Sequence, residues 1–337
     1  MRPFQYLQPA TLADVIVAQR EAPSAVPATF LAGGTTLIDL MKLGVMQPER
    51  VVDLRLAGSD FAQIRFDGAT LRLGAFARMA EVADHPVVAA SFPVIAQSLS
   101  LAASPQLRNM ATLGGNVLQR TRCAYFRDPT WAACNKRTPG SGCAAVDGAN
   151  RQHAVLGTSS QCIATYHGDF AQALMALDAS VVLGGPAGTR TIPFAALHRL
   201  PGNTPHVETT LHPGEIILDF VIPAGPWASR SLYLKIRDRQ SYEYAVASAA
   251  VAVAMNGDVV ADARIALGGL AAVPWRAHEA EAILRDAVLD EATATRAAEA
   301  SFAAAVPQSH NAFKIALGRD TLVRALLQAA SMEVRHD

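Results

Sequence analysis

Between residues 119 and 162 the hydrophobic periodicity of helices and strands disappears, and prolines, glycines and charged residues take over. A compact chain does not carry a structureless loop of that length unless something fastens it. All four cysteines fall in this stretch: Cys123, Cys134, Cys143 and Cys162, spaced C-x10-C-x8-C-x18-C. Four cysteines in 337 residues are too few for a disulfide scaffold. Clustered as they are, they read as ligands of one metal centre. Spacing alone leaves three options open. Zinc usually shows a short C-x2–4-C pair, which is missing; a [4Fe–4S] cluster commonly takes four cysteines; and the thiols can be unlinked.

Order on either side of this stretch is regular. Residues 10–20 are expected to form a helix with a Thr11/Asp14 capping box. After breaks at Pro23 and Pro27, a strand at 29–32 runs through Gly33-Gly34 into a helix at 35–42, capped by Thr36 with Asp39 at its third position. Further strands are expected at 50–54, in a hairpin over 63–73 around Asp67-Gly68, at 180–183 and at 216–223. Helices are expected at 92–103 and 170–177, the latter capped by Asp169. Residues 224–229 read as a linker. Beyond it come strands at 231–236, 245–255 and 263–267, with an Asn256-Gly257 turn, then alanine-rich helices at 276–287, 290–305 and 319–331. Strands followed by helices predict a separate α+β domain.

Two glycine loops carry the clearest chemistry. Leu31-Ala32-Gly33-Gly34-Thr35-Thr36-Leu37 joins a strand to a helix and offers backbone N–H groups to an anion. Ala111-Thr112-Leu113-Gly114-Gly115-Asn116 repeats the chemistry about 80 residues later, and two such loops are suited to the two phosphates of one diphosphate. Neither is the Gly-x-Gly-x-x-Gly of a dinucleotide fold, and a plain tight turn competes for each.

The bulk composition narrows the partners. Lys+Arg and Asp+Glu balance at 29 each, so no field favours nucleic acid. No apolar run reaches the ~18 residues of a membrane span. The N-terminus carries no export signal, so a cytoplasmic protein and co-export with a signal-bearing partner both fit.

Ala32 to Leu37, followed by Gln106-Leu107-Arg108-Asn109-Met110-Ala111-Thr112-Leu113-Gly114-Gly115-Asn116, resembles the FAD-binding subunit of the molybdenum hydroxylases, the xanthine dehydrogenase and carbon monoxide dehydrogenase family. The resemblance covers nearly the whole chain. It implies an α/β (α+β) architecture: a vanillyl-alcohol-oxidase (PCMH) type FAD fold over 1–223, in subdomains of about 1–55 and 56–223 with a loop inserted at 119–163. A C-terminal α+β domain then covers 230–333. It implies FAD held by Leu31, Ala32, Gly33, Gly34, Thr35, Thr36, Leu37, Asn109, Thr112, Gly114, Gly115, Asn116, Asp169, Ile216, Ile217 and Lys235. Asp169 would touch the flavin, and Lys235 would stabilise negative charge on its ring.

Most flavin subunits of the family lack the cysteine stretch. Residues 120–128, 134–137 and 140–143 look like the version in periplasmic aldehyde oxidoreductases, which implies a [4Fe–4S] cluster on the four cysteines. The basic residues Arg120, Arg122, Arg127, Lys136 and Arg137 would then offset its charge or form a solvated face. The resemblance also implies a molybdenum-cofactor-binding large subunit, a [2Fe–2S] small subunit feeding electrons to FAD, and an external electron acceptor. Aromatic aldehydes would be oxidised to carboxylic acids in the partner, with no catalytic residue here. His167 stands where the family has a small residue and is given no catalytic role. Competing readings are a stand-alone flavoprotein oxidase or reductase, and a flavin subunit with a zinc-stapled loop.

Overall fold

The protein is described by a computed structural model covering residues 1–20, 28–55 and 59–333. The breaks expected at Pro23 and Pro27 lie outside the described residues. Among the described residues three sheets organise the chain. The first is parallel: β1 (Gln5–Leu7) and β2 (Thr29–Leu31) flank β3 (Arg50–Asp53). Parallel neighbours need crossover connections, here the helices Leu12–Arg20 and Leu37–Lys42. The first helix carries the expected capping box, with Thr11 N–H donating to Asp14 Oδ2 at 3.1 Å and Asp14 N–H to Thr11 Oγ1 at 3.2 Å.

The second sheet is antiparallel, in the order β4 (Ile64–Phe66), β5 (Thr70–Gly74), β8 (Ile216–Pro223), β6 (Ser180–Gly185), β7 (Gly188–Pro193). Strand β7, with exposed Thr189 and Thr191, was not expected from the sequence. The chain between β5 and β6 holds the helix Pro93–Ser100, the second glycine loop, the cysteine stretch and the helix Phe170–Ala176. Strand β8 joins two cores by alternation. Ile216 and Leu218 pack with Val15 of the helix Leu12–Arg20 and with Val52 and Leu54 at the end of β3, whereas Ile217, Phe220 and Ile222 enter the main core.

The third sheet runs β12 (Trp275–Arg276), β11 (Val259–Gly268), β10 (Ala247–Asn256), β9 (Ser231–Ile236), with the expected turn between β10 and β11. Both of its faces are covered. Ala247, Ala249, Val251 and Val253 pack on the helices His278–Leu284, Glu291–Ser301 and Phe313–Ala330. Ala250, Ala252 and Ala254 face the main core. Small side chains on this strand let helices approach from both sides. The mixed α/β architecture matches the expected class.

Candidate functional site

Strand β2 delivers the first glycine loop and the second sheet delivers its partner. The two loops touch. A Cβ on Gly33 would overlap the Met110 carbonyl oxygen and lie 2.9 Å from Ala111 Cα, while Gly34 sits at φ +76°. Among the described residues the N–H groups of Gly33, Gly34, Thr35 and Thr36 have no protein acceptor. Four adjacent free donors suit an anion. Thr36 does not cap its helix as expected, because its backbone is already helical (φ −104°, ψ −46°) and its side chain makes no cap bond.

The second loop differs. Leu113 N–H donates to Ala77, Gly114 to Ala75, Gly115 to Thr112 Oγ1 at 3.2 Å and Asn116 to the Thr112 carbonyl. Its donors are spent within the protein, on Ala75 and Ala77 and on its own Thr112, so it supplies shape, plus the buried, unpartnered Oδ1 of Asn116.

Between the loops lies a groove of two chambers. The inner one, about 250 Å³, is lined by Ala32, Gly33, Gly34, Thr35, Thr36, Leu37, Thr112, Gly114, Gly115, Ile216 and Ile217 among the predicted residues. The outer one, about 400 Å³, takes Asn116 and Asp169, and Thr35, Thr36, Ala111 and Gly115 border both. Leu31, Asn109 and Lys235 line neither chamber. Asn109 is exposed, and its carbonyl accepts from Arg78 at 3.0 Å.

Asp169 is not a helix cap, since it has helical dihedrals (φ −75°, ψ −47°) and makes no cap bond. Its carboxylate accepts from Tyr233 Oη at 2.6 Å and from Lys235 Nζ at 2.8 Å. The Lys235 side chain is 1% exposed and donates also to the Leu101 carbonyl at 3.0 Å. The outer chamber thus meets the lysine only through Asp169. Sequence reasoning assigned no role in the groove to His167, Gln152, Arg239, Tyr242 or Tyr244, which all line the outer chamber. No local pattern marks them, because β9, β10 and the cysteine stretch bring them together from distant segments. Burial depresses His167 to about 3, so its ring is neutral against Tyr244.

The four cysteines line a single cavity of about 10 Å³, room for about one water. Among the described residues no three His, Cys, Asp or Glu side chains are arranged to hold a single metal ion. Cys134 and Cys143 face each other across a β-bridge. The neighbouring Cys162 thiol, foremost, lowers Cys143, with help from the backbone N–H groups of Ala145, Ile163 and Val146 and against the effect of burial. Burial pushes Cys123 up to about 11 against N–H donors at Phe126 and Tyr125, and His153 Nε2 lies 3.2 Å from its Sγ. The nearby basic residues are held by protein partners rather than standing free in solvent, and the five of them share only two carboxylates. Arg120 and Lys136 both pair with Glu208 at 2.9 and 2.8 Å, Arg122 and Arg127 with Asp39, and Arg137 donates to the Tyr125 and Phe126 carbonyls.

Residues 2–225 match the FAD binding domain in molybdopterin dehydrogenase, two thirds of the chain. The chain belongs to that family. Residues 232–329 match the CO dehydrogenase flavoprotein C-terminal domain. The chain is therefore a FAD-binding medium subunit of the molybdenum hydroxylase family, an oxidoreductase subunit. It is 42% identical to the aldehyde oxidoreductase FAD-binding subunit PaoB of Escherichia coli, over 98% of this chain and 99% of that one. It is 30% identical to the carbon monoxide dehydrogenase medium chain of Afipia carboxidovorans, over 91% and 88%. Among solved structures, quinoline 2-oxidoreductase from Pseudomonas putida 86 superposes with a TM-score of 0.74 at 25% identity, covering 98% of this chain and 97% of that one. No helix among the described residues is long and apolar enough to cross a membrane.

Proposed function

We propose that this chain is the FAD- and [4Fe–4S]-carrying electron-transfer subunit of a heteromeric, molybdenum-dependent aldehyde oxidoreductase. The two-chambered groove carries the flavin part. Gly33, Gly34, Thr35 and Thr36 would hold the diphosphate through their free N–H groups. Ile216 and Ile217 give the inner chamber a dry apolar floor. Asp169 faces the outer chamber with Tyr233 and Lys235 fixing both oxygens, and its remaining lone pairs can accept from a ligand. FAD supplies a carrier that takes and gives electrons singly or in pairs.

For the cluster, the donor set fits: four sulfurs around one cavity, three of them receiving backbone N–H groups, as thiolates bound to iron prefer. The cavity itself is tight, so the thiols would move outward on loading.

Substrate oxidation falls to a partner. The charged side chains lining the groove are mostly held in ion pairs, Arg122 and Arg127 with Asp39 and Asp169 with Lys235 behind the walls, and among the described residues no free acid–base pair faces either chamber. The partners are a molybdenum-cofactor-binding large subunit and a small [2Fe–2S] subunit, with an external electron acceptor. The identity to a subunit whose name specifies aldehyde oxidation supports aldehydes, aromatic ones by resemblance.

Purification of the full chain from its native host tests this. Co-elution with a large and a small subunit, about four irons per chain and a broad absorbance near 400 nm are expected. An isolated chain that oxidises aldehydes by itself overturns the relay, and one zinc per chain without that band overturns the cluster.

A further inference from the structure

The helix Leu37–Lys42 grows directly out of the first glycine loop, and the cysteine stretch holds it by Asp39. Arg127 grips that carboxylate twice, Nη1 to Oδ2 at 2.7 Å and Nη2 to Oδ1 at 3.1 Å, and Arg122 Nη1 adds a bond to Oδ2 at 2.9 Å. Arg122 immediately precedes Cys123, and Arg127 ends the short helix that Cys123 begins. The next residue along, Leu40, packs on Phe126 and Cys134 while also lining the inner chamber. Both arginines line the outer chamber, but Asp39 lines neither. One six-residue helix therefore carries a wall of the groove and the anchor of the thiol loop.

We infer that Asp39 is a positioning residue that makes flavin retention depend on the state of the four-cysteine loop. The inference rests on reading the groove as the FAD site. Three contacts hold the carboxylate between two guanidinium groups, and the arginines, Arg127 foremost, lower its pKa against the effect of burial. Without it the two cations face each other uncompensated. Arg122, whose buried Nε already lacks a partner, is then free to swing into the chamber it lines. Loosening residues 123–134 pulls the same two arginines off Asp39 from the other end and removes the support behind Leu40. Such coupling is reciprocal, so bound FAD tightens the cysteine loop by the factor that the closed loop tightens FAD.

The test uses the full-length chain stripped of flavin and titrated with FAD by fluorescence, with circular dichroism to establish folding. Asp39→Asn is expected to raise the FAD dissociation constant by about five- to 150-fold, the usual span of coupling between sites. Asp39→Glu, which keeps the charge, should recover part of the loss. Cys134→Ser should weaken FAD comparably, and the double variant should bind no worse than the weaker single one, because both act through one clamp. Asp39→Asn should also lower metal retained per chain after dialysis against a chelator. Arg151→Ala, which breaks the exposed pair with Asp238, should leave FAD binding unchanged.

If Asp39→Asn fails to fold, Arg127→Gln replaces it with the same expectations. A folded Asp39→Asn or Cys134→Ser chain with wild-type FAD affinity overturns the coupling, as do losses that simply multiply in the double variant. A wild-type chain that takes up no FAD overturns the flavin reading itself.

Discussion

Asp169 stands where a helix begins, and its residue type alone suggests a cap. Its actual partners are a tyrosine hydroxyl and a buried ammonium group, and the two roles predict opposite results for one substitution. Asparagine caps helices about as well as aspartate, so Asp169→Asn would be nearly silent if capping mattered. As an ion-pair partner it leaves Lys235 charged and unpaired at 1% exposure, at a cost of roughly 3–5 kcal/mol. Urea unfolding is expected to give the larger loss, with most of it recovered in Asp169→Asn/Lys235→Met. A shift of a few tenths of a kcal/mol would return Asp169 to the cap. The residue type was legible in the sequence. Its partner was not, because Tyr233 and Lys235 lie 64 and 66 positions away.

Among the elements, the last helix is the most informative. It begins at Phe313, ahead of the expected 319, and the reason is a lysine on its buried face. Lys314 is 1% exposed and breaks the apolar periodicity that marks a helix. Its Nζ donates to the carbonyls of Gly269 at 2.5 Å, His153 at 3.1 Å and Gln152 at 3.4 Å, and Asn311 adds bonds to the carbonyls of His153 and Ala154. Burial, with Arg151 repelling it, lowers Lys314 to about 7. The helix start thus fastens the exit of the cysteine stretch to the third sheet. Lys314→Met keeps the length and removes the donors. It should cost about 1–3 kcal/mol through unpaired carbonyls, with amide exchange accelerated at residues 152–156; unchanged exchange there would remove the fastening role. Elements set by local chemistry were legible: the Thr11/Asp14 box, the turn between β10 and β11, and both glycine loops. The division of labour between those loops was not, because it depends on Ala75 and Ala77 accepting the second loop's donors.

For the molecule as a whole, buried histidines set the acid limit. His167 and His198 are lowered by burial to about 3 and about 4 from an ordinary 6.5. Between those values and 6.5 the unfolded chain binds protons that the fold excludes. Stability from this source is therefore complete above pH 6.5 and falls as the pH drops through that window, by roughly 2–3 kcal/mol per pH unit for the two together. His198→Gln, which can still donate to the Val117 carbonyl, should lower the slope in urea titrations between pH 4.5 and 6 by about 1.4 kcal/mol per pH unit, one group's share. An unchanged slope would assign acid lability elsewhere. The outer wall of the groove is a whole-molecule property too, and no local sequence window foretells Tyr244 beside Arg122. The covering of the cysteine stretch adds a consequence in time. Asn150 bonds to His310, 160 positions later, and Val155 accepts from Val306. At ribosomal rates of about 5–20 residues per second, roughly 8–30 seconds pass between synthesis of the stretch and synthesis of the chain that closes over it. During that interval the four thiols exist without the cover that residues 306–310 later supply.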